Sequence, residues 1–301
     1  MGGVPVWVLA RRFVEWVWED APYRDETAAV LGLDRVCGVL RVVVKGGVGV
    51  AACTSEVVDV LRFLGFEAGL GVASGSRFSP GDVLLWVRGR GDLLSLVERV
   101  VVDVVSYASG VATRVRELVE IVERVGRGVR VAATRKTVPG FRLCSKLAFE
   151  AGGGDTHRWG LSDAVMVKDT HVELLGGFGA VFERLGGVSL YRVVVVEVGS
   201  VEEAVEAARR GARVVLLDNM SPGEVREAVE RLERLGLRDR VVVEASGGIG
   251  PWNIAEYAAA GVDVVSTSYP FREPARVDFS AVAERVEGPC RGGLGLLEHF
   301  G

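Results

Sequence analysis

Arg135 with Lys136, then Lys168, Glu197, Asp218 and the triplet Ser246–Gly247–Gly248 share one feature. Each closes or follows a short run of β-branched residues. Cations in such places suit carboxylates and phosphates. Carboxylates suit a metal ion or ribose hydroxyls, and a Ser-Gly-Gly turn ahead of a helix offers backbone N–H groups to a phosphate. Lysine usage sharpens the choice. Of 36 lysines and arginines only four are lysines, and three of these, Lys136, Lys146 and Lys168, fall between Thr134 and His171. Where arginine is so strongly favoured, a retained lysine points to a task for a compact point charge rather than a planar fork. Lys136 and Lys168 stand at strand ends. Lys146 fits an amphipathic helix and reads as incidental.

Other candidates lie close by. His157 and Arg158 follow Gly152–Gly153–Gly154–Asp155, where glycines let a backbone approach a ligand and the arginine can grip a carboxylate with two bonds. His171 reads as structural. Lys168 has two chemical readings, a Schiff-base amine or a clamp on phosphate and pyrophosphate. Glu197 and Asp218 suit Mg²⁺ or ribose hydroxyls, and both also fit as ion-pair partners of Lys136 and Lys168. No serine or cysteine is paired with a base. The set therefore suits transfer of a sugar phosphate from a pyrophosphate leaving group, with electrostatic stabilisation of the departing charge.

Six apolar runs position these residues. They end at Thr134, Val167, Val198, Leu217, Ala245 and Thr267, and amphipathic segments separate them. That alternation predicts βα units and a parallel sheet. VEEAVEAARRG closes on Gly211, while SPGEVREAVERLERLG carries a serine N-cap and proline at its first turn. Continuous apolar strands imply burial on both faces. Polar groups at six successive strand ends favour a (β/α) barrel, whose strand ends converge on one mouth. A doubly wound sheet would gather its ligand groups at one switch point.

The first 110 residues differ. RFVEWVWED and residues 92–126 read as helices, and VCGVLRVVVKGGVGVAAC and GDVLLWVRGRG read as strands with glycine turns. The predicted division is an α+β domain over 1–110 and a catalytic barrel over 111–301, with the C-terminal tail returning to the first domain. A hydrophobic fraction of 49% gives ample core, and a net charge of −4 gives no ground for nucleic-acid binding. No apolar run is long enough to span a bilayer, and the N-terminus lacks the basic region of a signal peptide, so a cytoplasmic protein is expected. Cys37, Cys53, Cys144 and Cys290 lack metal-ligand spacing and read as buried reduced thiols. Glutamine is absent and Asn219 and Asn253 are the two asparagines, a depletion that fits a thermophile.

With these residues in view, the chain resembles the quinolinate phosphoribosyltransferases. The resemblance rests on Thr134-Arg-Lys-Thr-x-Pro-Gly140, Gly152-Gly-Gly-Asp-x-His-Arg158, Met166-Val-Lys-Asp-x-His171, Leu217-Asp-Asn219 and Glu244-Ala-Ser-Gly-Gly-Ile249. Fainter matches are Glu19-Asp-x-Pro-Tyr-x-Asp-x-Thr27, Glu98–Arg99 and Ser109-Gly-Val-Ala-Thr113. It implies an α/β chain, with an incomplete (β/α) barrel of the type II phosphoribosyltransferase kind and an N-terminal open-faced α+β sandwich. It also implies a homodimer in which Arg99 reaches quinolinate in the partner's barrel. Arg135, His157 and Arg158 would hold the two carboxylates, and Lys136 and Lys168 would line the pocket for quinolinate and phosphoribosyl pyrophosphate. Glu197 and Asp218 would bind ribose hydroxyls and Mg²⁺. Ser246, Gly247 and Gly248, with Ser268 on the next loop, would take the 5′-phosphate. The implied products are nicotinate mononucleotide, pyrophosphate and CO₂. Departures are Asp103 for a usual asparagine, Tyr107 for a usual basic residue and Ser268 for a glycine. Tyr23 and Tyr107-Ala-Ser-Gly110 also resemble the molybdenum-transport-associated pyrophosphorylase-like paralogues, which implies another aromatic acid as an alternative acceptor.

Overall fold

The computed structural model describes residues 4–290. Five strands precede the predicted barrel: β1 (Cys37–Gly46), β2 (Gly49–Val50), β3 (Glu67–Leu70), β4 (Arg77–Phe78) and β5 (Val83–Arg90). Six more coincide with the apolar runs: β6 (Arg130–Ala132), β7 (Val165–Val167), β8 (Val194–Val198), β9 (Val214–Asp218), β10 (Val242–Ser246) and β11 (Val264–Ser266). A last strand, β12, covers Asp278–Arg285. The chain forms two compact units. One holds the residues up to Arg114, Leu143–Gly152 and those from Glu273 onward; the other holds Val115–Arg142 and Gly153–Arg272.

In the second unit the six strands form one parallel sheet in the order β6-β11-β10-β9-β8-β7. Each strand from β7 to β10 lies beside its successor, while β6 joins the far side of β11. β6 and β7 thus occupy opposite edges. This is a (β/α) barrel left open between its first two strands. Helices join the strands and are capped as their sequences prescribe. Ser221 caps Pro222–Arg234 in a reciprocal box with Glu224, and Ser200 caps Val201–Arg209 by accepting from the Glu203 amide.

Register then decides what the mouth contains. Glu197 pairs with Leu216, Leu216 with Glu244, and Glu244 with Val264. Two residues further on, Asp218 pairs with Ser246 and Ser246 with Ser266. Strand side chains alternate between faces, so both rows project from the same face, one above the other. The upper row stands at the C-terminal ends of the strands.

The first unit is built on the antiparallel sheet β12-β1-β5-β3. Along β1 the residues Leu40, Val42 and Val44 are buried and their neighbours are not, as expected when one face packs and the other does not. The helix Thr54–Phe63 lies against β3 and β5, and Val6–Asp20 lies against that helix. With helices on one side, this unit is the open-faced sandwich.

Because β12 lies antiparallel to β1, Cys37 and Cys290 come together and form a disulfide with Cα atoms 5.6 Å apart. This corrects the reading of all four cysteines as reduced thiols. A separation of 253 residues in sequence hid the pairing, since only the return of β12 creates it. Cys53 and Cys144 remain thiols and are buried. A hydrogen bond with Cys144, followed by burial, holds the Cys53 thiol well above its usual range, so it stays protonated. Reduction, or Cys290→Ser, should cost on the order of 2–4 kcal/mol. Thermal unfolding with and without dithiothreitol should show a Tm lower by several degrees in the reduced protein. An unchanged Tm would show that the clasp contributes nothing.

Candidate active site

The mouth of the open barrel is a cavity of about 300 Å³. Eight of the residues singled out in the sequence line it: Arg135, Lys136, His157, Arg158, Lys168, Glu197, Asp218 and Ser246. Thr134, Met166, Leu216, Glu244 and Ser266 complete most of the wall. The side-chain atoms buried without a hydrogen-bond partner among the described residues are Arg135 Nε and Glu244 Oε1, and both residues belong to this wall. Orphaned buried polar atoms are costly, and their concentration in one cleft is the mark of a binding site.

The cations are held under electrostatic tension. Burial lowers the affinity of the Arg158 guanidinium for its proton, and repulsion from Arg135 lowers it further; Glu197, Asp163 and Glu244 offset this in part. Two guanidiniums that line one half-buried cleft gain most from an anion with two negative groups. Lys168 donates to Glu197 Oε2 at 2.5 Å, which joins the ends of β7 and β8. That pairing makes Lys168 a point charge at the mouth. The backbone N–H of Lys136 donates to Thr134 Oγ1 at 3.1 Å and shapes the turn after β6.

His157 is held on three sides. It adopts a left-handed backbone (φ +52°), and its amide donates to Asp155 Oδ1 at 2.7 Å. Its Nδ1 accepts the Arg158 N–H at 2.7 Å, while Nε2 faces Glu244 Oε1 at 3.4 Å. Of the glycines before it, Gly153 does not line the mouth. It has φ +92°, and a Cβ there would meet the Arg116 guanidinium at 3.0 Å. The left-handed backbone there is what favours glycine.

At the opposite wall Asn219 also has a left-handed backbone (φ +56°). It donates through Nδ2 to Asp218 Oδ2 at 2.6 Å, and its amide donates to Ser246 O at 2.9 Å. A Cβ on Gly247 (φ +100°) would lie 2.3 Å from Asn219 Oδ1 and 2.7 Å from Asn219 N. The next turn is tied by Asn253, which accepts the Gly250 amide at 2.9 Å and donates to Gly248 O at 3.2 Å. Gly247→Ala should therefore displace both Asp218 and the Ser246 loop. We expect at least a tenfold loss in kcat/KM, since small misplacements at a reacting centre are costly. Steady-state kinetics should detect it, and wild-type kcat/KM would contradict the coupling.

Some expected residues are not in this wall. Gly247 and Gly248 flank Ser246 without lining the cavity. Ser266, the true end of β11, lines it in place of Ser268, which is buried beyond Thr267. Arg99 belongs to the first unit, on the helix Gly91–Val125, exposed and paired with Asp103 at 3.3 Å. Lys146, read as incidental, is fully buried on the helix Arg142–Ala151. Glu244 and Asn219 were the site residues not singled out. A carboxylate inside the apolar run RVVVEA was the available signal for the first.

An open (β/α) barrel with an anion-binding mouth at its strand ends defines a class, barrel enzymes acting on phosphorylated or carboxylated substrates. Comparison with known proteins makes this specific. The family model "Quinolinate phosphoribosyl transferase, C-terminal domain" matches residues 111–282, and the corresponding N-terminal model matches 25–109. A protein of Archaeoglobus fulgidus named "Probable nicotinate-nucleotide pyrophosphorylase (carboxylating)" is 41% identical over 86% of this chain and 98% of its own length. The Rhodobacter capsulatus protein named as pyrophosphorylase ModD is 38% identical over 81% of this chain and 93% of its own length. The crystal structure of NadC from Streptococcus pyogenes superposes with a TM-score of 0.83 at 26% identity, covering 95% of this chain and all of that one. The chain belongs to the quinolinate phosphoribosyltransferase family. It is a pentosyltransferase.

Proposed function

We propose that the protein transfers phosphoribose from phosphoribosyl pyrophosphate to quinolinate and decarboxylates the product, in the de novo route to NAD. The observation that carries this reading is the Arg135–Arg158 pair. Two guanidiniums in one cavity wall, one with an orphaned buried Nε, match a ligand with adjacent carboxylates. Held by them, quinolinate presents its ring nitrogen to C1′ of the ribose. The nitrogen's lone pair forms the N–C1′ bond as the C1′–O bond breaks, and pyrophosphate leaves with that electron pair. Lys136 and Lys168 take up charge developing on the leaving group. The ring nitrogen is now cationic. The bond from C2 to its carboxylate breaks, CO₂ departs, and the electron pair left at C2 is stabilised by the adjacent positive nitrogen until a proton is added there.

Glu197 and Asp218 would bind the ribose hydroxyls and Mg²⁺. Among the described residues no cluster of three or more His, Cys, Asp or Glu could cage a metal. Two carboxylates nonetheless fit Mg²⁺, which binds through one or two of them plus substrate phosphates. Its contribution when bound would be to neutralise pyrophosphate charge. Ser246 and the loop after it would take the 5′-phosphate. Among the described residues no helix is long and apolar enough to cross a membrane. We place the enzyme in the cytoplasm, as a homodimer in which Arg99 of one subunit reaches the quinolinate bound by its partner.

Pyrophosphate release that requires quinolinate, phosphoribosyl pyrophosphate and Mg²⁺ together is the expected result with purified protein. Folded protein that releases none would refute the proposal. A second reading, another aromatic acid as acceptor, is favoured by the 38% identity to the ModD protein and by Asp103, Tyr107 and Ser268. Turnover with a different acid alone, in a panel of pyridine and benzene carboxylates, would decide for it.

A further inference from the structure

Glu244 is a charged residue in an otherwise apolar strand, buried to 3% exposure. Its register places it between Leu216 and Val264, one row below Asp218, Ser246 and Ser266, at the floor of the mouth. Such burial is expensive for a carboxyl group unless partners satisfy it, yet Oε1 makes no hydrogen bond of ordinary geometry. The nearest cationic candidate is His157 Nε2 at 3.4 Å. Replacing a buried, poorly satisfied carboxyl with an apolar side chain of similar size commonly stabilises a fold. A residue kept at that cost serves something other than stability.

The other side of His157 says what it serves. Nδ1 accepts the Arg158 N–H and so carries no proton, which leaves the proton on Nε2, 3.4 Å from Glu244 Oε1. Both ring nitrogens are thus turned toward protein groups. The ring is a strut from the barrel floor to the backbone of Arg158.

We propose that Glu244 is a positioning residue. It fixes the His157 ring through Nε2–H, and thereby the Arg158 main chain, so that the Arg158 guanidinium meets the substrate's carboxylates. This rests on the quinolinate reading for the identity of the dicarboxylate.

The test compares Glu244→Leu, which removes the acceptor, with Glu244→Gln, which keeps an acceptor without charge. For Glu244→Leu the expected results are a Tm equal to or above wild type and a quinolinate KM raised about tenfold, with the phosphoribosyl pyrophosphate KM unchanged. Glu244→Gln should recover most of the quinolinate KM. Nitrogen-15 histidine spectra of the wild-type protein should show His157 neutral with its proton on Nε2. An unchanged quinolinate KM in Glu244→Leu, a loss that only follows a fall in Tm, or no recovery in Glu244→Gln would overturn the proposal. If Glu244→Leu does not fold, the spectrum decides: a proton on Nδ1, or a cationic ring, overturns it. If wild-type enzyme does not turn over quinolinate, the functional reading fails first, while Tm and tautomer still report on the Glu244–His157 pair.

Discussion

Lys136→Arg should lower kcat/KM by roughly 10²-fold or more, although it preserves charge at that position. Lys136 is exposed at the mouth, and its backbone bond to Thr134 does not depend on its side chain. The substitution should therefore leave Tm and circular dichroism unchanged. What changes is the donor. An ammonium on a flexible stem can follow charge as it moves onto a leaving pyrophosphate, whereas a guanidinium fork is wider and places its donors in a fixed plane. Crowding adds to the effect, because the mouth already contains Arg135 and Arg158, and a third guanidinium would compete for the same anion. Steady-state kinetics on the purified variant checks this. Turnover near wild type would remove the argument from lysine scarcity.

The reciprocal exchange should fail for the opposite reason. Arg158→Lys should raise the quinolinate KM by roughly 10- to 100-fold, the order expected for losing one bond of a bidentate charge-assisted pair. Its kcat should change less, since the carboxylate grip is made in the ground state as well as the transition state. The loss should grow with pH. The forces that lower the proton affinity of Arg158, burial first and then repulsion from Arg135, leave a guanidinium charged. The same forces act on a substituted ammonium, whose ordinary pKa is about 10.4, and drive it toward neutrality. Sign follows directly: the variant binds best below its lowered pKa and weakens as pH rises through it. A KM for the variant that stays flat as pH is raised to the ordinary lysine value of about 10.4 would contradict this.

Much of the site could be read from the sequence because parallel barrel strands are local events. A valine-rich run ends, a polar residue follows, and six repetitions point at one mouth. Lys168, Glu197, Asp218 and Ser246 were legible for that reason. What escaped depended on pairing between distant segments. Glu244 looked like part of a motif until register set it opposite Leu216, one row below the strand ends, and folding put it beside His157. Ser266 lines the cavity where Ser268 was expected, and β11 stops one residue before its apolar run ends at Thr267. Gly153 was read as room for a ligand, but it lies outside the mouth, beside the Arg116 guanidinium, a residue 37 positions earlier. In the first unit the helix Thr54–Phe63 was not expected from AACTSEVVDVLRF, whose valines favour strands in isolation. Packing on β3 and β5 overrides that preference. The disulfide, too, exists only because β12 returns to β1.

The most direct test is an isotope count. Quinolinate labelled in its 2-carboxylate or its 3-carboxylate should be incubated with phosphoribosyl pyrophosphate, Mg²⁺ and the enzyme. The account predicts one labelled CO₂ per pyrophosphate from the 2-carboxylate substrate and none from the 3-carboxylate substrate. Pyrophosphate release without labelled CO₂, or turnover confined to a different aromatic acid, would contradict it.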